Sequence, residues 1–372
     1  MPETKQKKSR VVEREDRKNL SSPDRKGSDK KRKKTGVDRE EKYNIEDVNA
    51  LKELFNIILE QLTPTNESNA QELVFKGMEH LAGGDLSGAR RYFKRAIKLA
   101  PEVADAYSGL ALVARERYKL QEAEEYFKLA YEKARASLGT EDPGAFSWWI
   151  NDKTRPYLRA RFGLALIYGE TGRYDEAISE LREIIRRNQN DNQGVRYHIA
   201  PLFLLKGDLT GALREFEWYE KNYGGDIPIP DYLLNWGLAF FKAKMYVRAA
   251  EKFRMTILWN PYLIRLVIGE HPEELPIWHS INTMTLDYAY EYFQDYALLW
   301  IGQDEAINFL RFFWEDREIQ QDFKEWVKLR TEVKSIKDYS ERKRLFDLME
   351  QIEKKALSTE LIERIQKFCQ KL

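Results

Sequence analysis

The sequence predicts an all-α protein built as a solenoid, in which similar helical hairpins stack one on another. Three observations lead to this prediction. Small and aromatic residues recur at nearly constant spacing through the middle of the chain, strand-type alternation of polar and apolar residues is absent, and 372 residues accommodate a long repeat array. Because each unit of such an array contacts its neighbours, one hydrophobic core can extend along its length.

Composition narrows the class of protein. A single cysteine excludes an intrachain disulfide framework and a multi-cysteine metal site, and four histidines leave little for a histidine-based one. The N-terminus is charged and lacks the apolar region of a signal peptide, and no apolar run approaches the roughly 20 residues of a membrane span. We therefore expect a cytoplasmic protein that has no membrane partner and needs no metal or cofactor.

The first 42 residues form a basic tail, with 16 Lys or Arg against 9 Asp or Glu, ahead of an acidic body. The tail has too few large apolar residues to offset the entropy of ordering, so residues 1–42 are expected to be disordered. Either the tail keeps the chain soluble and contacts the acidic body, or its densest run, Lys30–Lys34, binds nucleic acid or another anionic partner. The first interpretation is favoured, because no aromatic residue is interleaved to stack on bases.

Residues 43–63 are predicted to form a helix that caps the array. Their apolar residues recur at helical spacing, and Pro64 and Asn66 break the pattern. The apolar stripe consists of Ile45, Val48, Leu51, Leu54, Phe55, Ile58, Leu59 and Leu62.

The repeats extend over 70–263, in five units of two helices. In each unit a small residue in the second helix lets the pair approach closely, and a large residue one turn later fills the space toward the next unit. The small residues are Ala89, Ala123, Ala177, Ala212 and Ala249. Their spacing of 34, 54, 35 and 37 residues places an insertion at 138–157, which carries Trp148 and Trp149 and is expected to fold beside the third and fourth units.

These spacings resemble those of tetratricopeptide repeats, and the resemblance implies a right-handed superhelix. Two strings carry a closer likeness, Thr154–Arg161 (TRPYLRAR) before the third unit and Asn190–Tyr197 (NDNQGVRY) before the fourth. They look like a group of bacterial tetratricopeptide proteins and, more distantly, like the suppression-of-tumorigenicity family of animals. Asp152-Lys153 departs from that group, in which a glutamate is expected near the threonine. The closer likeness implies no settled activity.

Two further regions follow the five repeats. Residues 264–314 are predicted to form a degenerate sixth unit, with helices at 285–300 and 304–314. Residues 315–372 are predicted to form three charged, amphipathic helices of the kind that cap the end of a solenoid.

The concave groove is the predicted binding site for an extended segment or a helix of another protein. Apolar residues dominate it, so hydrophobic burial would supply affinity and the few polar groups orientation. The predicted groove residues are Val74, Met78, Leu112, Arg159, Tyr197, Leu234, Asn235, Leu238 and Phe241. The carboxylate clamp of other tetratricopeptide proteins is not predicted, because Arg159 alone of the aligned positions carries a suitable side chain.

Arg155, Tyr157, Arg161 and Arg196 form a candidate anion site, since arginine suits anions and peptide carboxylates. In the other interpretation these residues are structural and hydrogen-bond the insertion and the turn at 190–192.

The sequence favours a protein-protein interaction or scaffolding module that is not an enzyme. One alternative is an enzyme or small-anion-binding protein that uses the arginine cluster, although no nucleophile–base pair stands out. The other alternative is a nucleic-acid-associated protein that uses the basic tail. The sequence leaves the partner and the oligomeric state open.

Overall fold

A computed structural model of the chain describes residues 65–226 and 229–372. The predicted tail at 1–42 and the predicted capping helix at 43–63 lie outside the described residues. Within the two described ranges the regular structure is helical and no strand occurs. The fold class predicted from the sequence, an all-α array of helical repeats, is confirmed.

Five consecutive hairpins, α1/α2 through α9/α10, form the array in this part of the chain. Their helices are α1 Asn66–Ala82, α2 Leu86–Leu99, α3 Ala104–Glu116, α4 Leu120–Leu138, α5 Arg155–Glu170, α6 Tyr174–Arg187, α7 Arg196–Leu205, α8 Leu209–Tyr223, α9 Pro230–Lys242 and α10 Tyr246–Trp259. Each hairpin turns on one residue with a positive φ. These residues are Gly84, Tyr118, Gly172, Gly207 and Lys244.

The central residues of the repeats explain why the hairpins stack. The five alanines predicted to lie where paired helices meet are all fully buried. Phe93, one turn after the first of them, packs against glycines of two successive hairpins. A Cβ added at Gly77 or at Gly109 would lie 2.4 Å from a carbon of the Phe93 ring. The ring therefore joins the first hairpin to the second, and the two glycines are required by its closeness.

The first helix of each hairpin belongs to an inner layer. Helices α1, α3 and α5 contact one another in order, and α7 contacts α9 in the same way. The second helices lie on the outside of the array. The inner layer therefore provides the concave face on which the groove was predicted.

The segment between α4 and α5 folds against the second and third hairpins, which corrects the expectation that it lies beside the third and fourth. The Trp148 ring is buried and lies 5.2 Å from the ring of Tyr157, centroid to centroid. Glu141 accepts hydrogen bonds from Tyr131 of α4, at 2.6 Å, and from Tyr157 of α5, at 2.5 Å. Because the segment follows α4 and leads directly into α5, its side chains reach the helices that flank it.

After the array come α11 Leu263–Val267, α12 Leu286–Tyr296, α13 Asp304–Glu315, α14 Arg317–Ser335, α15 Tyr339–Lys354 and α16 Thr359–Cys369. The structure corrects the prediction of a degenerate sixth unit at 264–314, because α12 contacts inner helices α7 and α9 and does not pair with α13 as a hairpin. The irregular segment 268–285 returns the chain to the inner helices α7 and α9, so the aromatic side of α12 lies on the concave face.

Helices α14 and α16 cover the outer side of the last hairpin. Arg254 of α10 donates to Asp322 of α14 at 2.9 Å, and both residues are buried. Arg364 of α16 forms two hydrogen bonds with Asp316, at 2.7 and 2.9 Å. A buried ion pair and apolar packing therefore attach the C-terminal helices to the array, and a second ion pair joins α16 to the residue before α14.

Candidate protein-interaction surface

The concave face can be followed from repeat to repeat by position. With residues 70, 104, 158, 193 and 230 as position 1 of the five repeats, the second and sixth positions of the fifth repeat and the sixth of the fourth lie on one side, the side that α12 contacts. In the fifth repeat these positions hold Asp231 and Asn235, and in the fourth the sixth position holds His198.

Helix α12 occupies this side of the fourth and fifth repeats with three tyrosines at successive turns. The Tyr288 hydroxyl donates to Asp231 Oδ1 at 2.7 Å, and the Tyr292 hydroxyl donates to Asn235 Oδ1 at 2.8 Å. The Tyr296 hydroxyl lies 3.0 Å from His198 Nδ1. The chain thus fills part of its own groove with a helix whose contacts are both aromatic and polar.

Burial beneath α12 alters the titration of the groove residues. Burial raises the pKa of Asp231, and the nearby Asp295 carboxylate raises it further against the Tyr288 hydrogen bond. Burial also raises the pKa of Asp295, since the neighbouring Arg115 offsets this only in part. Burial lowers the pKa of His198 to about 4, so this imidazole is neutral at pH 7.

Replacing Asp231 with asparagine should remove a pH dependence of stability. Because its pKa is raised on folding, the folded chain keeps a proton that the unfolded chain releases above its ordinary pKa of about 3.9. The stabilisation of the folded state by this bound proton is complete below that pH, and it is lost as the pH rises through the pKa of Asp231 in the folded chain. Asp231→Asn keeps an acceptor for Tyr288, so we expect it to be more stable than wild type at neutral pH and no more stable near pH 3. Urea denaturation at both pH values measures this, and a difference that does not change with pH would contradict it.

The structure corrects four of the predicted groove residues. Leu234, Asn235, Leu238 and Phe241 are all buried, so none of them is open to a partner. The reason is the returning chain: Asn235 bonds to Tyr292, and the Phe241 ring lies 5.3 Å from the ring of Phe309 in α13.

Tyr197 and Val74 are also engaged within the fold. The Tyr197 ring packs between Tyr219 and Tyr232, at 5.7 and 5.4 Å between centroids. Val74 is buried in the core of the first hairpin. Val74 is therefore closed to a partner, and Tyr197 is only partly exposed.

The concave face of the first three repeats is more open. Met78 is 41% exposed and Leu112 is partly exposed at the equivalent position of the second repeat. Arg159 forms two hydrogen bonds with Asp105, at 2.9 and 2.6 Å, and half of its side chain remains exposed. Phe75, which is 64% exposed, was missed from the sequence, although it shares the sixth repeat position with His198 and Asn235.

Arg161, predicted as an anion-site residue, lies in a buried polar network. Its guanidinium donates to Glu180 Oε2 at 2.8 Å and to the Tyr157 hydroxyl at 2.8 Å. Tyr157 in turn donates to Glu141 of the insertion. Burial lowers the pKa of Arg161, but the nearby groups Glu180, Tyr157 and Tyr131 together outweigh that effect and raise this pKa. Arg161 is therefore a charged group whose neighbours already supply the opposite charge.

Arg155 and Arg196 are also paired, each with its own set of groups. Arg155 donates from Nε to the Trp149 carbonyl oxygen at 2.9 Å and forms an ion pair with Asp152 at 2.9 Å. Arg196 bonds to Asp191 at 2.9 Å and to Asp226 at 2.6 Å. Its guanidinium also lies 4.5 Å from the centroids of two tyrosine rings, Tyr197 and Tyr223.

Models of the tetratricopeptide repeat match residues 76–137 and 158–191. The repeats within these two stretches are tetratricopeptide repeats. Among solved structures it is similar to YrrB, described as a TPR protein with an unusual peptide-binding site, with 18% identity over 50% of this chain and 83% of that chain and a TM-score of 0.36. It is also similar to Pseudomonas aeruginosa pilF, with 16% identity over 69% of this chain and 97% of that chain and a TM-score of 0.44. No curated protein matches the chain.

The two matched stretches fall in the first three tetratricopeptide repeats. The fourth and fifth hairpins keep the same internal design, with Ala212 and Ala249 buried between their helices. In the part of the chain that the structure describes, no helix is long and apolar enough to cross a membrane. The same part holds no group of three or more His, Cys, Asp or Glu side chains arranged to hold a metal ion.

Proposed function

We propose that the chain is a protein-interaction module that binds an apolar helical segment of a partner on the concave face of its first three tetratricopeptide repeats. The observation that carries the proposal is the exposure of Phe75 and Met78, because Phe75 holds the repeat position at which Asn235 of the fifth repeat is covered by Tyr292 of α12. The chain thus covers the concave face of its fourth and fifth repeats with its own helix. Among the described residues, no such helix covers the concave face of the first three repeats.

The chemistry of this open face suits an apolar helix. Burying a Phe or Met side chain fully contributes about 1.5–3 kcal/mol, so Phe75 and Met78 supply hydrophobic anchors. The ion pair between Arg159 and Asp105 lies on the neighbouring inner helices and is half exposed, so it can orient polar groups at the rim. Helix α12 provides an internal example of the same mode, because it contacts the face at every fourth residue.

Other candidate functions receive less support from the geometry. An anion site at Arg155, Tyr157, Arg161 and Arg196 would have to displace the carboxylates that pair with these arginines. The strings TRPYLRAR and NDNQGVRY support a place in the bacterial tetratricopeptide group, which remains part of this proposal together with a cytoplasmic location. Binding without catalysis is the simplest use of such a surface.

Selection from a library of displayed peptides tests the proposal, because the library itself supplies the candidate ligands. Peptides selected on the full chain should carry apolar residues at helical spacing and bind Phe75→Ala/Met78→Ala at least about tenfold more weakly, because two anchors are lost. The matched control is Ile150→Ala/Tyr339→Ala, which removes two exposed apolar side chains outside the groove. Peptides that bind the groove variant and the control variant equally well would contradict the proposal.

A further inference from the structure

The outer helix of the first repeat carries a stripe of positive charge. Its cationic residues recur at alternating spacings of one and three, so they lie along one side of α2 over about 12 Å. Together with the residue that follows α3 they line an open depression of about 500 Å³. These cations are Arg90, Arg91, Lys94, Arg95, Lys98 and Arg117.

This stripe differs from the arginine clusters described above in that its charge is not neutralised locally. Glu122 lies 3.6 Å from Arg90. Within residues 65–226 and 229–372, no other carboxylate lies within 4 Å of any of the six cations. The stripe therefore presents a concentrated positive potential to solvent.

A tyrosine with an unusual backbone conformation follows the last of these cations in sequence. Tyr118 follows Arg117 directly, has φ of 57° and is 91% exposed. The equivalent turn residue is glycine in three of the other four repeats and Lys244 in the fifth. A positive φ is disfavoured for a bulky residue, and the exposed ring gains nothing from burial, so the outlier points to a use for the ring outside the fold.

We infer that this surface binds a single-stranded nucleic acid. Sequence-tolerant binding of single strands combines a cationic track for the phosphates with an aromatic ring on which a base stacks, and the stripe and Tyr118 supply both. An acidic peptide would use the cations but has no planar base to stack on the ring. Because α2 is an outer helix, the proposed strand and the proposed protein partner occupy different faces.

The ring is tested by two matched substitutions in the full chain. Tyr118→Gly and Lys244→Gly make the same change at the same repeat position, and both relieve a positive φ at a non-glycine residue. Fluorescence anisotropy with labelled oligouridylate and oligothymidylate of about 15 nucleotides should show affinity roughly tenfold lower for Tyr118→Gly and unchanged for Lys244→Gly. Equal affinities for both variants would overturn the role of the ring.

The stripe is tested by neutralising three of its cations. Arg91→Gln/Lys94→Gln/Lys98→Gln should weaken binding and reduce the slope of log affinity against log salt by about 2, since single strands lose about 0.7 per phosphate contact. The control of equal charge change, Lys324→Gln/Lys343→Gln/Lys367→Gln, alters three exposed lysines of the C-terminal helices and should keep the wild-type slope.

Three results would overturn the inference. The first is no detectable binding by the wild-type chain. The second is binding that survives neutralisation of the stripe, which would place the contact in the basic tail. The third is an acidic peptide that binds as tightly as the oligonucleotides and is unaffected by Tyr118→Gly, which would assign the surface to a protein.

Discussion

Gly163→Val should be severely destabilising, because this glycine gives the Phe127 ring its place between the second and third hairpins. A Cβ at position 163 would lie 2.1 Å from Phe127 Cε1, and the ring is almost completely buried. The ring cannot leave without opening the core, so the valine forces the hairpins apart. Overpacking of this kind costs about 1–3 kcal/mol and can cost more. Thermal and urea denaturation of the purified variant measure the loss.

Two comparisons make this prediction specific. Gly225→Val adds the same side chain where a Cβ would meet no atom within 4 Å, so its stability should stay near that of wild type. Adding Phe127→Ala to Gly163→Val empties the contested space, so the double variant should lose less stability than the sum of the two single variants. Strict additivity would show that the ring and the glycine are not in contact.

Arg161→Ala should destabilise the chain by about 3–5 kcal/mol, because breaking a buried ion pair leaves an uncompensated charge. Glu180 would lose its guanidinium partner, and the Tyr157 hydroxyl would lose a donor. Arg159→Ala, two residues earlier on α5, removes an arginine whose ion pair is half exposed and should cost about 0–1 kcal/mol. Urea denaturation of both variants decides the point. If both variants lost similarly little free energy of unfolding, Arg161 would not be held in a buried ion pair. It could then bind an anion, as one interpretation of the sequence holds.

The repeats could be predicted from the sequence because their signal is local. Ala123 and Phe127 lie one turn apart on one helix, and both are buried for the reason that their spacing predicts. The unusual turn residue Tyr118 was not singled out from the sequence, although glycine stands at the equivalent turn of three other repeats. Its backbone angle and its exposure needed the coordinates.

The position of α12 could not be read in the same way. Tyr288, Tyr292 and Tyr296 show a helical spacing, but an aromatic stripe of this kind predicts burial without naming the surface that buries it. The irregular segment before α12 carries no periodic signal, so the return of the chain to the concave face depends on tertiary contacts such as the one with Asp231. For this reason the sequence predicted that Leu234 lies in an open groove, whereas the structure buries it.

The arginine cluster shows a second limit. The sequence grouped Arg155, Arg161 and Arg196 into one candidate cluster and left a binding role and a structural role open. Their partners decide the matter, and two of these, Glu180 of α6 and Asp226 after α8, come from other elements of the fold. Spacing along the chain does not reveal such pairs.

The chain closes the concave face of its last repeats with its own helix α12, and we propose that the first repeats bind a partner. A double-mutant cycle between Asp231→Ala and Tyr288→Phe, followed by urea denaturation at neutral pH, tests the closure most directly. The account predicts a coupling of at least about 1 kcal/mol, the value expected for a hydrogen bond that involves a carboxylate. The same cycle with Tyr290→Phe, an exposed tyrosine on the same helix, should show no coupling. Additivity in the Asp231–Tyr288 cycle would contradict the account, because it would mean that α12 does not lie on the concave face.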